Sequence, residues 1–452
     1  MKRLITAAVA LSACVAGAAD IYVSLEGGKN KNEGTKEAPL KNLWKALENA
    51  KDGDTIHLAE GIYPGKMKQN WFLIDKAVSV IGGYSKDFAE RNPLVHKTMF
   101  QALNENNDKK GNGLGVFTID FTKREGGRQP ENVDMKFDGL IFDEGFANSY
   151  HETKGKPADL DTGMWLEGPA YNKTKDKFPS ANRYLVYSAT ANRATGEISF
   201  RNCAFVNSGN IAFDLNWYKG KVEVENCVFC NNRMIGAQVL CSSAVPMDGP
   251  SKPKAGWKPE VEWEFEHNTV LFTWSRLNDL ADMGFGIRNN TGVKAEIKDN
   301  IIGLNVLTGF DNTKGVGKTK ITELDENVFF LNRESDVQMT VSPSIAKVRV
   351  DSFEDLEGTD GIESIEDNED LKDPSVFKGR INAAYLNNFL TMKYSESTKL
   401  DEGKCNGLRS VLGLPLQGTI TTQCDMFCNR YPLEDALKLF GAMKDKGAQE
   451  IK

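Results

Sequence analysis

The chain repeats the phrase Val224-Glu225-Asn226-Cys227-Val228-Phe229, in which an apolar residue, two polar residues and an Asn or Cys precede a small or apolar residue and a large apolar one. The other copies are Phe200-Arg201-Asn202-Cys203-Ala204-Phe205, Phe265-Glu266-His267-Asn268-Thr269-Val270, Ile297-Lys298-Asp299-Asn300-Ile301-Ile302 and Leu324-Asp325-Glu326-Asn327-Val328-Phe329. Their fourth positions are 24, 41, 32 and 27 residues apart. Short alternating units separated by Gly- and Asn-rich turns indicate strands rather than helical repeats. We therefore interpret each unit as one coil of a parallel β-helix.

The fourth position of the phrase explains how the coils stack. At the bend between two strands, an inward-turning Asn side chain can hydrogen-bond the backbone of the next coil. Equivalent residues then form a ladder at the strand spacing of roughly 4.8 Å. A buried Cys is small enough to take the same place. We therefore predict that Cys203 and Cys227 are stacked core thiols rather than a disulfide.

Composition limits the classes of function. The chain has 452 residues and a net charge of −7, with 56 Lys and Arg against 63 Asp and Glu. A nucleic-acid-binding protein would carry a basic stripe, so we expect no nucleic-acid partner. No apolar run is long enough to predict a transmembrane helix. The many Asp and Asn residues are compatible with Ca²⁺, although a solvated surface explains them as well.

The first residues have the pattern of a secretory signal. Met1-Lys2-Arg3 is basic, the following segment is apolar, and Ala16-Gly17-Ala18 fits a cleavage site, so residues 1–19 are predicted to be a signal peptide. Leu11-Ser12-Ala13-Cys14 also resembles a bacterial lipobox, in which Cys14 would carry a lipid anchor. Both alternatives predict a protein that is secreted or held at the cell surface or outer membrane of a bacterium.

Residues 20–98 are predicted to form an N-terminal cap with a short helix, followed by the first coils. This region resembles the N-terminal part of right-handed β-helix proteins of the pectate-lyase-like superfamily. The resemblance is carried by Tyr22-Val23-Ser24, Gly34-Thr35, Pro39-Leu40, Ala46-Leu47, Gly53-Asp54-Thr55-Ile56, Gly61-Ile62-Tyr63 and Val78-Ser79-Val80-Ile81-Gly82-Gly83-Tyr84. It implies an all-β fold, a right-handed parallel β-helix. It says almost nothing about the reaction, because one fold carries many functions.

The catalytic signatures of enzymes with this fold do not carry over. Galacturonan hydrolases have Asn-Thr-Asp, Asp-Asp, Gly-His-Gly and Arg-x-Lys signatures, and this chain contains no Asp-Asp pair and no Gly-His-Gly. It also lacks the Lys-Ser-containing strand and the Arg-His-Gly phrase expected of alginate lyases and chondroitinase-B-like enzymes. The resemblance therefore covers residues 20–340 as a fold only.

The β-helix itself is predicted to extend over residues 99–345. Two insertions, at about 144–195 and 242–259, are rich in residues typical of loops, and we interpret them as walls of a binding groove. Residues 346–452 are predicted to be an acidic connector followed by a C-terminal cap.

Within this cap, an amphipathic helix is predicted to begin at Pro432 and end at Gly441. We expect it to cover the last open coil. Three cysteines, Cys405, Cys424 and Cys428, lie in the same region and could include one disulfide. The sequence does not determine which two of them would pair.

Counting along the phrase predicts a column of polar side chains. Eleven residues beyond the fourth position stand Asp214, Gln238, Asp279, Asp311 and Gln338. Neighbouring carboxylates on stacked coils raise each other's pKa or bind Ca²⁺. We therefore take Asp214, Asp279 and Asp311 as candidate Ca²⁺ ligands. The alternative is a chance alignment in an acidic chain, since unequal loops blur the register.

Residues 274–288 hold the densest cluster of side chains suited to an acidic sugar. We take Trp274, which could stack on a pyranose ring, and Asp311 as candidate substrate-binding residues. The candidate catalytic residues are Arg276, Asp279, Asp282 and Arg288. In β-elimination, neutralising a uronate carboxylate acidifies the C5 proton, which a Lys, Arg, His or Tyr then removes. The alternative is a surface loop in which Arg and Asp only pair with each other.

The sequence thus supports two hypotheses. The first is a carbohydrate-active protein that engages an extracellular polysaccharide, such as a polysaccharide lyase or glycoside hydrolase acting on an acidic glycan with Ca²⁺. The second is a non-catalytic surface or adhesion module, in which the solenoid is a rigid spacer and the loops bind. The missing catalytic signatures favour the second hypothesis, and the cluster at 274–288 favours the first.

Overall fold

The computed structural model describes residues 17–66, 70–101, 115–144, 164–166, 184–248, 253–274, 283–313, 320–341, 346–348, 352–359, 361–393, 401–416, 422–427 and 430–451. Its strands form three long sheets in which neighbouring strands come from successive coils and pair in parallel. This is the predicted right-handed parallel β-helix, so the predicted fold is confirmed. The signal segment with Cys14 lies almost wholly outside the described residues.

Each coil contributes one strand to each sheet in turn. The first sheet consists of β1 (Asp20–Val23), β2 (Thr55–Ala59), β5 (Ser79–Tyr84), β8 (Val133–Asp138), β12 (Thr195–Arg201), β15 (Lys219–Glu225), β18 (Val261–Glu266), β21 (Val293–Lys298), β24 (Ile321–Asp325) and β28 (Ile362–Ser364). The second sheet consists of β3 (Gly61–Ile62), β6 (Thr98–Gln101), β9 (Leu140–Asp143), β13 (Ala204–Val206), β16 (Val228–Cys230), β19 (Thr269–Leu271), β22 (Ile301–Gly303), β25 (Val328–Phe330) and β29 (Glu369–Asp370).

The third sheet completes the coils. It consists of β4 (Phe72–Ile74), β7 (Gly115–Ile119), β11 (Tyr184–Ser188), β14 (Phe213–Trp217), β17 (Ile235–Cys241), β20 (Phe285–Asn289), β23 (Thr308–Asn312), β26 (Ser335–Val341) and the antiparallel β27 (Ala346–Val348). A separate small sheet joins β10 (Met164–Leu166), β30 (Met392–Lys393) and β31 (Thr422–Phe427). The helices are α1 (Leu43–Asn49), α2 (Phe353–Glu357), α3 (Ala383–Thr391), α4 (Glu402–Val411) and α5 (Leu433–Leu437), and two 3₁₀ turns lie at Phe121–Lys123 and Pro374–Phe377.

The bend between the first and second sheets depends on one left-handed residue per coil. The residue before the fourth position of the phrase has a φ between 51° and 58° in all five copies, at Asn202, Asn226, His267, Asp299 and Glu326. Asn and Asp tolerate this conformation better than most residues, which explains the polar character of the position. His267 therefore has a structural place in a bend.

The predicted ladder is present at the next residue. The Oδ1 atoms of Asn268, Asn300 and Asn327 accept hydrogen bonds from the backbone N–H one coil earlier, at 2.9, 2.8 and 3.1 Å. Asn368 extends the ladder by one rung, at 3.1 Å from the N–H of Asn327. The sequence phrase did not reveal this rung, because charged residues follow Asn368 where the other copies have small or apolar ones.

Cysteines behave as predicted where they are described. Cys203 and Cys227 are buried, unbridged thiols stacked in the ladder. Cys405 is also a free thiol, and Cys428 lies outside the described residues, so a disulfide there stays a prediction.

The bore of the solenoid is filled by inward-facing apolar residues of all three sheets. Aromatic rings of successive coils stack within it, for example Phe142 on Phe205 at 5.3 Å and Phe205 on Phe229 at 4.6 Å between centroids. Such repeated burial of apolar area stabilises the fold, since a fully buried large side chain contributes about 1.5–3 kcal/mol.

The two open ends are covered by short helices. Leu43, Ala46 and Leu47 of α1 are buried over the first coil, as the N-terminal cap prediction required. At the other end, α2 buries Leu356 in the core, and its Phe353 lies 5.3 Å from the ring of Phe329. The acidic segment predicted as a connector therefore continues the solenoid, with α2 as its end cover and β28 and β29 as further strands.

The helix at Pro432 has a different position from the predicted one. Residues 430–451, which we call the C-terminal strap, lie on the outward face of the second sheet rather than over the last coil. The N–H of Tyr431 donates to Oδ1 of Asn207 at 2.8 Å, and the N–H of Ala448 donates to Oγ1 of Thr269 at 2.9 Å. The reason is that this face of the second sheet is apolar and needs a cover. No helix in the described part of the chain is long and apolar enough to cross a membrane.

Candidate functional site

A column of polar side chains runs along the outward face of the third sheet. Alternate residues of its strands, such as Phe213 and Leu215, belong to the interior core, so the residues between them point outward. Strand pairing places these outward residues side by side on adjacent strands. We call them the outward column: Tyr187, Asp214, Gln238, Arg288, Asp311 and Gln338.

Asp214 is a carboxyl group in a largely buried environment. The residue is 7% exposed, and its Oδ1 accepts a hydrogen bond of 2.9 Å from Nε2 of Gln238. Burial raises the pKa of Asp214 to about 6, although the hydrogen bond from Gln238 opposes this. The carboxyl group can therefore hold a proton only slightly below neutral pH, which suits a group that donates protons.

Two partly buried tyrosines of β11 lie beside Asp214. The ring centroids of Tyr184 and Tyr187 are 5.0 Å apart, and Tyr187 is the strand partner of Asp214. Burial and the nearby Asp214 carboxylate raise the pKa of both phenols, that of Tyr184 to about 12. The phenols thus stay protonated and combine apolar rings with hydroxyl donors, a combination suited to sugar rings.

Arg288 and Asp311 form an ion pair one step further along the column. Nε of Arg288 lies 3.0 Å from Oδ2 of Asp311 and also donates to Oγ1 of Thr313 at 2.9 Å. Asp311 is fully buried and receives a second, longer hydrogen bond of 3.4 Å from Nε2 of Gln338. The pair fixes the orientation of the Arg288 guanidinium, because a buried ion pair keeps its geometry.

Lys320 is the second cation at this place. It is 1% exposed, and its Nζ has no hydrogen-bond partner within the part of the chain that the structure describes. Burial lowers the pKa of Lys320 to about 7; the Asp311 charge opposes this shift and the Arg288 charge adds to it. A large fraction of this amine is therefore unprotonated near neutral pH, and the Arg288 guanidinium lies near enough to influence its charge.

The column corrects one sequence prediction. Arg288, rather than Asp279, occupies the outward position between Gln238 and Asp311. Arg288 stands 20 residues beyond Asn268, whereas the other coils have 11, so the turn before β20 is nine residues longer than the counting rule assumed. Asp279 itself lies outside the described residues, as do Arg276 and Asp282, and their predicted catalytic roles stay predictions.

Trp274 does not have its predicted role in this structure. The residue is fully buried, and its Nε1 donates to the backbone oxygen of Asn231 at 3.3 Å. It packs in the apolar cluster between the second sheet and the C-terminal segments. A ring without exposed area offers no face to a pyranose, so the prediction that Trp274 stacks on substrate is wrong.

The two predicted Ca²⁺ ligands that the structure describes, Asp214 and Asp311, do not lie close together. Asp214 and Asp311 lie three strands apart, roughly 14 Å at the usual strand spacing, with Gln238 and Arg288 between them. Asp311 is already paired with Arg288. Across the described ranges, no group of three or more His, Cys, Asp or Glu side chains could hold a metal ion. Ca²⁺ therefore stays a prediction that depends on Asp279.

Sequence reasoning did not select Tyr184, Tyr187 and Lys320 as site residues. Both tyrosines were noted only as part of a predicted insertion, whereas they belong to β11 of the third sheet. The run Tyr-Leu-Val-Tyr, made of residues common in strands, was the available signal for a strand. Lys320 gave no signal of its own, since a Lys before a strand is usually solvated.

Comparison with known families matches residues 26–87 to a family described as a protein of unknown function (DUF1565). This match covers the N-terminal cap and the first coils only. No curated protein matched the chain.

Several solved structures show a partial likeness. The GH136 lacto-N-biosidase from Eubacterium ramulus is 13% identical, with 78% of this chain and 67% of that chain covered and a TM-score of 0.34. A rhamnogalacturonan lyase is 12% identical, with 77% and 89% covered and a TM-score of 0.31. The polygalacturonase from Erwinia carotovora ssp. carotovora is 11% identical, with 82% and 96% covered and a TM-score of 0.27. Similarities this low carry no information on activity, and the β-helix is established by the sheet topology itself.

Proposed function

We propose that this protein engages an acidic extracellular polysaccharide on the outward face of the third sheet and cleaves it by β-elimination. The observation that carries this proposal is the buried, unpaired amine of Lys320, whose pKa is about 7, within electrostatic reach of the Arg288 guanidinium that Asp311 holds in place. A base and a carboxylate-binding cation are the two groups that this reaction needs. Perturbed titratable groups that share one face of a fold are typical of functional sites.

The proposed reaction uses this chain's own side chains. Arg288 binds the uronate carboxylate, which stabilises the negative charge that develops when C5 loses its proton. The neutral Lys320 amine takes that proton. The bond between C4 and the glycosidic oxygen then breaks, a double bond forms between C4 and C5, and the departing oxygen recovers the proton from the Lys320 ammonium group.

Two buried polar atoms without partners support a binding role. Nζ of Lys320 and Oε1 of Gln338 are both buried without a hydrogen-bond partner among the described residues. Leaving such a group unpaired costs about 1–3 kcal/mol, so a fold retains it when something else uses it. A sugar hydroxyl could satisfy either atom, because it can accept from Nζ of Lys320 and donate to Oε1 of Gln338.

A second candidate is a non-catalytic glycan-binding surface module. It is favoured by the low exposure of the outward column, where Asp311 is 0% and Lys320 1% exposed. It is also favoured by the ion pair between Arg288 and Asp311, because Asp311 already neutralises the Arg288 charge that would otherwise bind a uronate. In this candidate the column is a structural network, and binding takes place elsewhere on the surface.

The test is an absorbance assay for the unsaturated uronate product over a panel of uronic-acid polymers. We expect product from at least one polymer, and loss of product in Lys320→Met and in Arg288→Ala. Lys136→Met is the matched control, because Lys136 lies on the first sheet and its exposed ammonium pairs with Asp134. The lyase proposal fails if no polymer yields product while glycan binding is retained, and that outcome selects the surface module.

Ca²⁺ and location remain proposals of their own. An EDTA arm of the same assay tests the metal, since a lyase that depends on Ca²⁺ loses activity on chelation and regains it when Ca²⁺ is added back. We also propose that the protein is secreted or held at the surface of a bacterium, on the basis of residues 1–19. Cys14→Ser tests the lipid anchor, because it should release the protein from the membrane fraction only if Cys14 is acylated.

A further inference from the structure

A cavity of about 780 Å³ opens at the N-terminal end of the third sheet, away from the outward column residues discussed above. We call it the N-terminal pocket; the residues that matter here are Trp44, Leu47, Trp71, Leu73, Lys76 and Arg124. Its size lies within the range of about 300–1,000 Å³ that small-molecule sites occupy. It combines an apolar floor, two indole rings and a charged rim.

The aromatic residues of this pocket are held in place. Nε1 of Trp71 donates to Oγ1 of Thr118 at 3.1 Å, which fixes the plane of the Trp71 indole. Trp44 projects from α1, and Nζ of Lys66 lies 5.1 Å from the centroid of its ring. Lys66 is itself paired with Glu48 at 3.1 Å. Rings with fixed orientation lose little entropy on binding, so they suit flat apolar surfaces such as pyranose faces.

The charged rim contains both fixed and available cations. Arg124 binds the carboxylate of Asp52 through both terminal nitrogens, and Lys76 donates to the backbone oxygens of Leu47 and Glu48 at 2.8 and 2.9 Å. The exposed ammonium groups of Lys51 and Lys123 form no ion pair within the described residues. The pocket is lined by five cations and four carboxylates, a slight positive excess in a chain of net charge −7. An acidic saccharide therefore finds free partners there.

The pocket lies on the same face as the outward column. Leu73, in its floor, is the strand partner of Thr118, which pairs with Tyr187, and Tyr187 pairs with Asp214. Two further strands lead to Arg288. Five strand steps correspond to roughly 24 Å, a distance that one extended glycan chain can span.

We propose that the N-terminal pocket is an oligosaccharide-binding site for uronic-acid-containing glycans, separate from the site of bond cleavage. The proposal rests on the proposed function for the class of glycan. Binding of one polymer at two places on one face increases the affinity for long chains over short ones. In this proposal, Trp71 and Trp44 bind the polymer but take no part in the β-elimination step.

The test measures binding and cleavage separately. Isothermal titration with tri- to hexasaccharides of galacturonate, mannuronate and glucuronate-hexosamine repeats is compared for the wild type, Trp71→Ala and Trp44→Ala. We expect at least one series to bind the wild type and each Trp variant to bind it about tenfold more weakly, a loss of about 1.4 kcal/mol. Tyr22→Ala is the control, since Tyr22 is a partly exposed aromatic residue on the first sheet that does not line the pocket.

Surface variants keep the test independent of folding. Lys51→Glu combined with Lys123→Glu changes only exposed side chains, and it should weaken binding of acidic oligosaccharides while leaving the thermal unfolding curve unchanged. Lys136→Met, on the first sheet, should bind these oligosaccharides as the wild type does. If no oligosaccharide binds the wild type, or if the Trp variants and the Lys51/Lys123 double variant bind like the wild type, the pocket proposal is wrong. Binding at the pocket without any cleavage product would instead remove only the lyase proposal.

Discussion

The outward faces of the first and third sheets carry similar side chains in very different surroundings. On the first sheet, Lys221 pairs with Glu264 at 2.6 Å and Lys294 with Glu296 at 2.6 Å, with side chains about 30% exposed. On the third sheet, Arg288 pairs with Asp311 at 3.0 Å, and Asp311 has no exposed area. Both faces are built from residues that alternate with the interior core.

The difference shows that environment, not residue type, decides which charged column can do chemistry. The hydrogen bond from Lys294 to Glu296 raises the pKa of Lys294, although partial burial opposes it. Burial lowers the pKa of Lys320 to about 7. Two lysines that stand close together in the sequence are thus shifted in opposite directions. The first sheet carries an ordinary solvated surface, whereas Asp214 on the third sheet and Lys320, which directly precedes β24, are buried groups that titrate near neutral pH.

The largest expected effect is that of Lys320→Met on the free energy of unfolding. The unfolded chain holds the Lys320 proton up to a pH near 10.5, whereas the folded protein releases it at about 7, so the wild type gains stability as pH rises through this window. Removing the amine should stabilise the protein by roughly 3–5 kcal/mol at pH 6 and by much less near pH 10, where the folded amine is neutral. Urea unfolding at both pH values checks this. Lys294→Met, on the first sheet, should not stabilise at either pH.

Arg288→Ala should have the next largest effect. Removing the guanidinium leaves the buried Asp311 carboxylate without its main counter-charge, which should cost about 3–4 kcal/mol of unfolding free energy. Arg201→Ala is the matched change on the first sheet, where the Arg201 side chain is 49% exposed and pairs with Glu223 and Glu225. We expect that variant to lose less than about 1 kcal/mol. Equal losses in urea titrations of the two variants would contradict the distinction between the faces.

Asp214→Asn tests how the raised pKa of Asp214 affects stability as the pH changes. The unfolded chain releases the Asp214 proton near pH 3.8 and the folded protein at about 6, so the wild type loses stability between these values as pH rises. The variant should therefore be more stable than the wild type by about 2–3 kcal/mol at pH 7, with the gain disappearing near pH 4. Denaturant midpoints over this range measure it. Asp134→Asn, at an exposed first-sheet position, should show no such pH dependence.

The smallest expected effect is that of Lys221→Gln on the first sheet. Its ion pairs with Glu264 and Glu223 are partly exposed, so the loss should be below about 1 kcal/mol at low salt. At about 1 M NaCl the loss should vanish, because charges there are screened within about 3 Å. Unfolding curves at both salt concentrations decide the point. A loss that persists in high salt would mean that this face is less solvated than its exposure indicates.

The fold could be predicted from sequence because its stabilising contacts recur along the chain. The Asn ladder at Asn268, Asn300 and Asn327 gives a local phrase that repeats with every coil. Even so, the ladder continues to Asn368, where the phrase has only charged residues after the Asn. The repeated phrase made the β-helix predictable from sequence, but the last coil was missed because the phrase is less regular around Asn368.

The candidate site was less predictable, because it depends on turn lengths and on burial. The counting rule places Asp214, Gln238, Asp311 and Gln338 in the column correctly, but the longer turn before β20 puts Arg288 where Asp279 was expected. Burial of Trp274 results from an apolar face of the second sheet that no local pattern reveals. Contacts between distant segments decide both outcomes, and a single sequence carries little information about them.

The C-terminal strap has a consequence for biogenesis. Tyr431 and Gln449 hydrogen-bond Asn207 and Asn226, residues that are translated 224 and 223 positions earlier. Because the chain is synthesised from its N-terminus, the apolar outward face of the second sheet stays uncovered until the C-terminal strap has been made. During that interval the exposed apolar face is a binding site for chaperones. Proteolytic removal of the strap from the folded protein would expose the same face and cause an otherwise intact β-helix to aggregate.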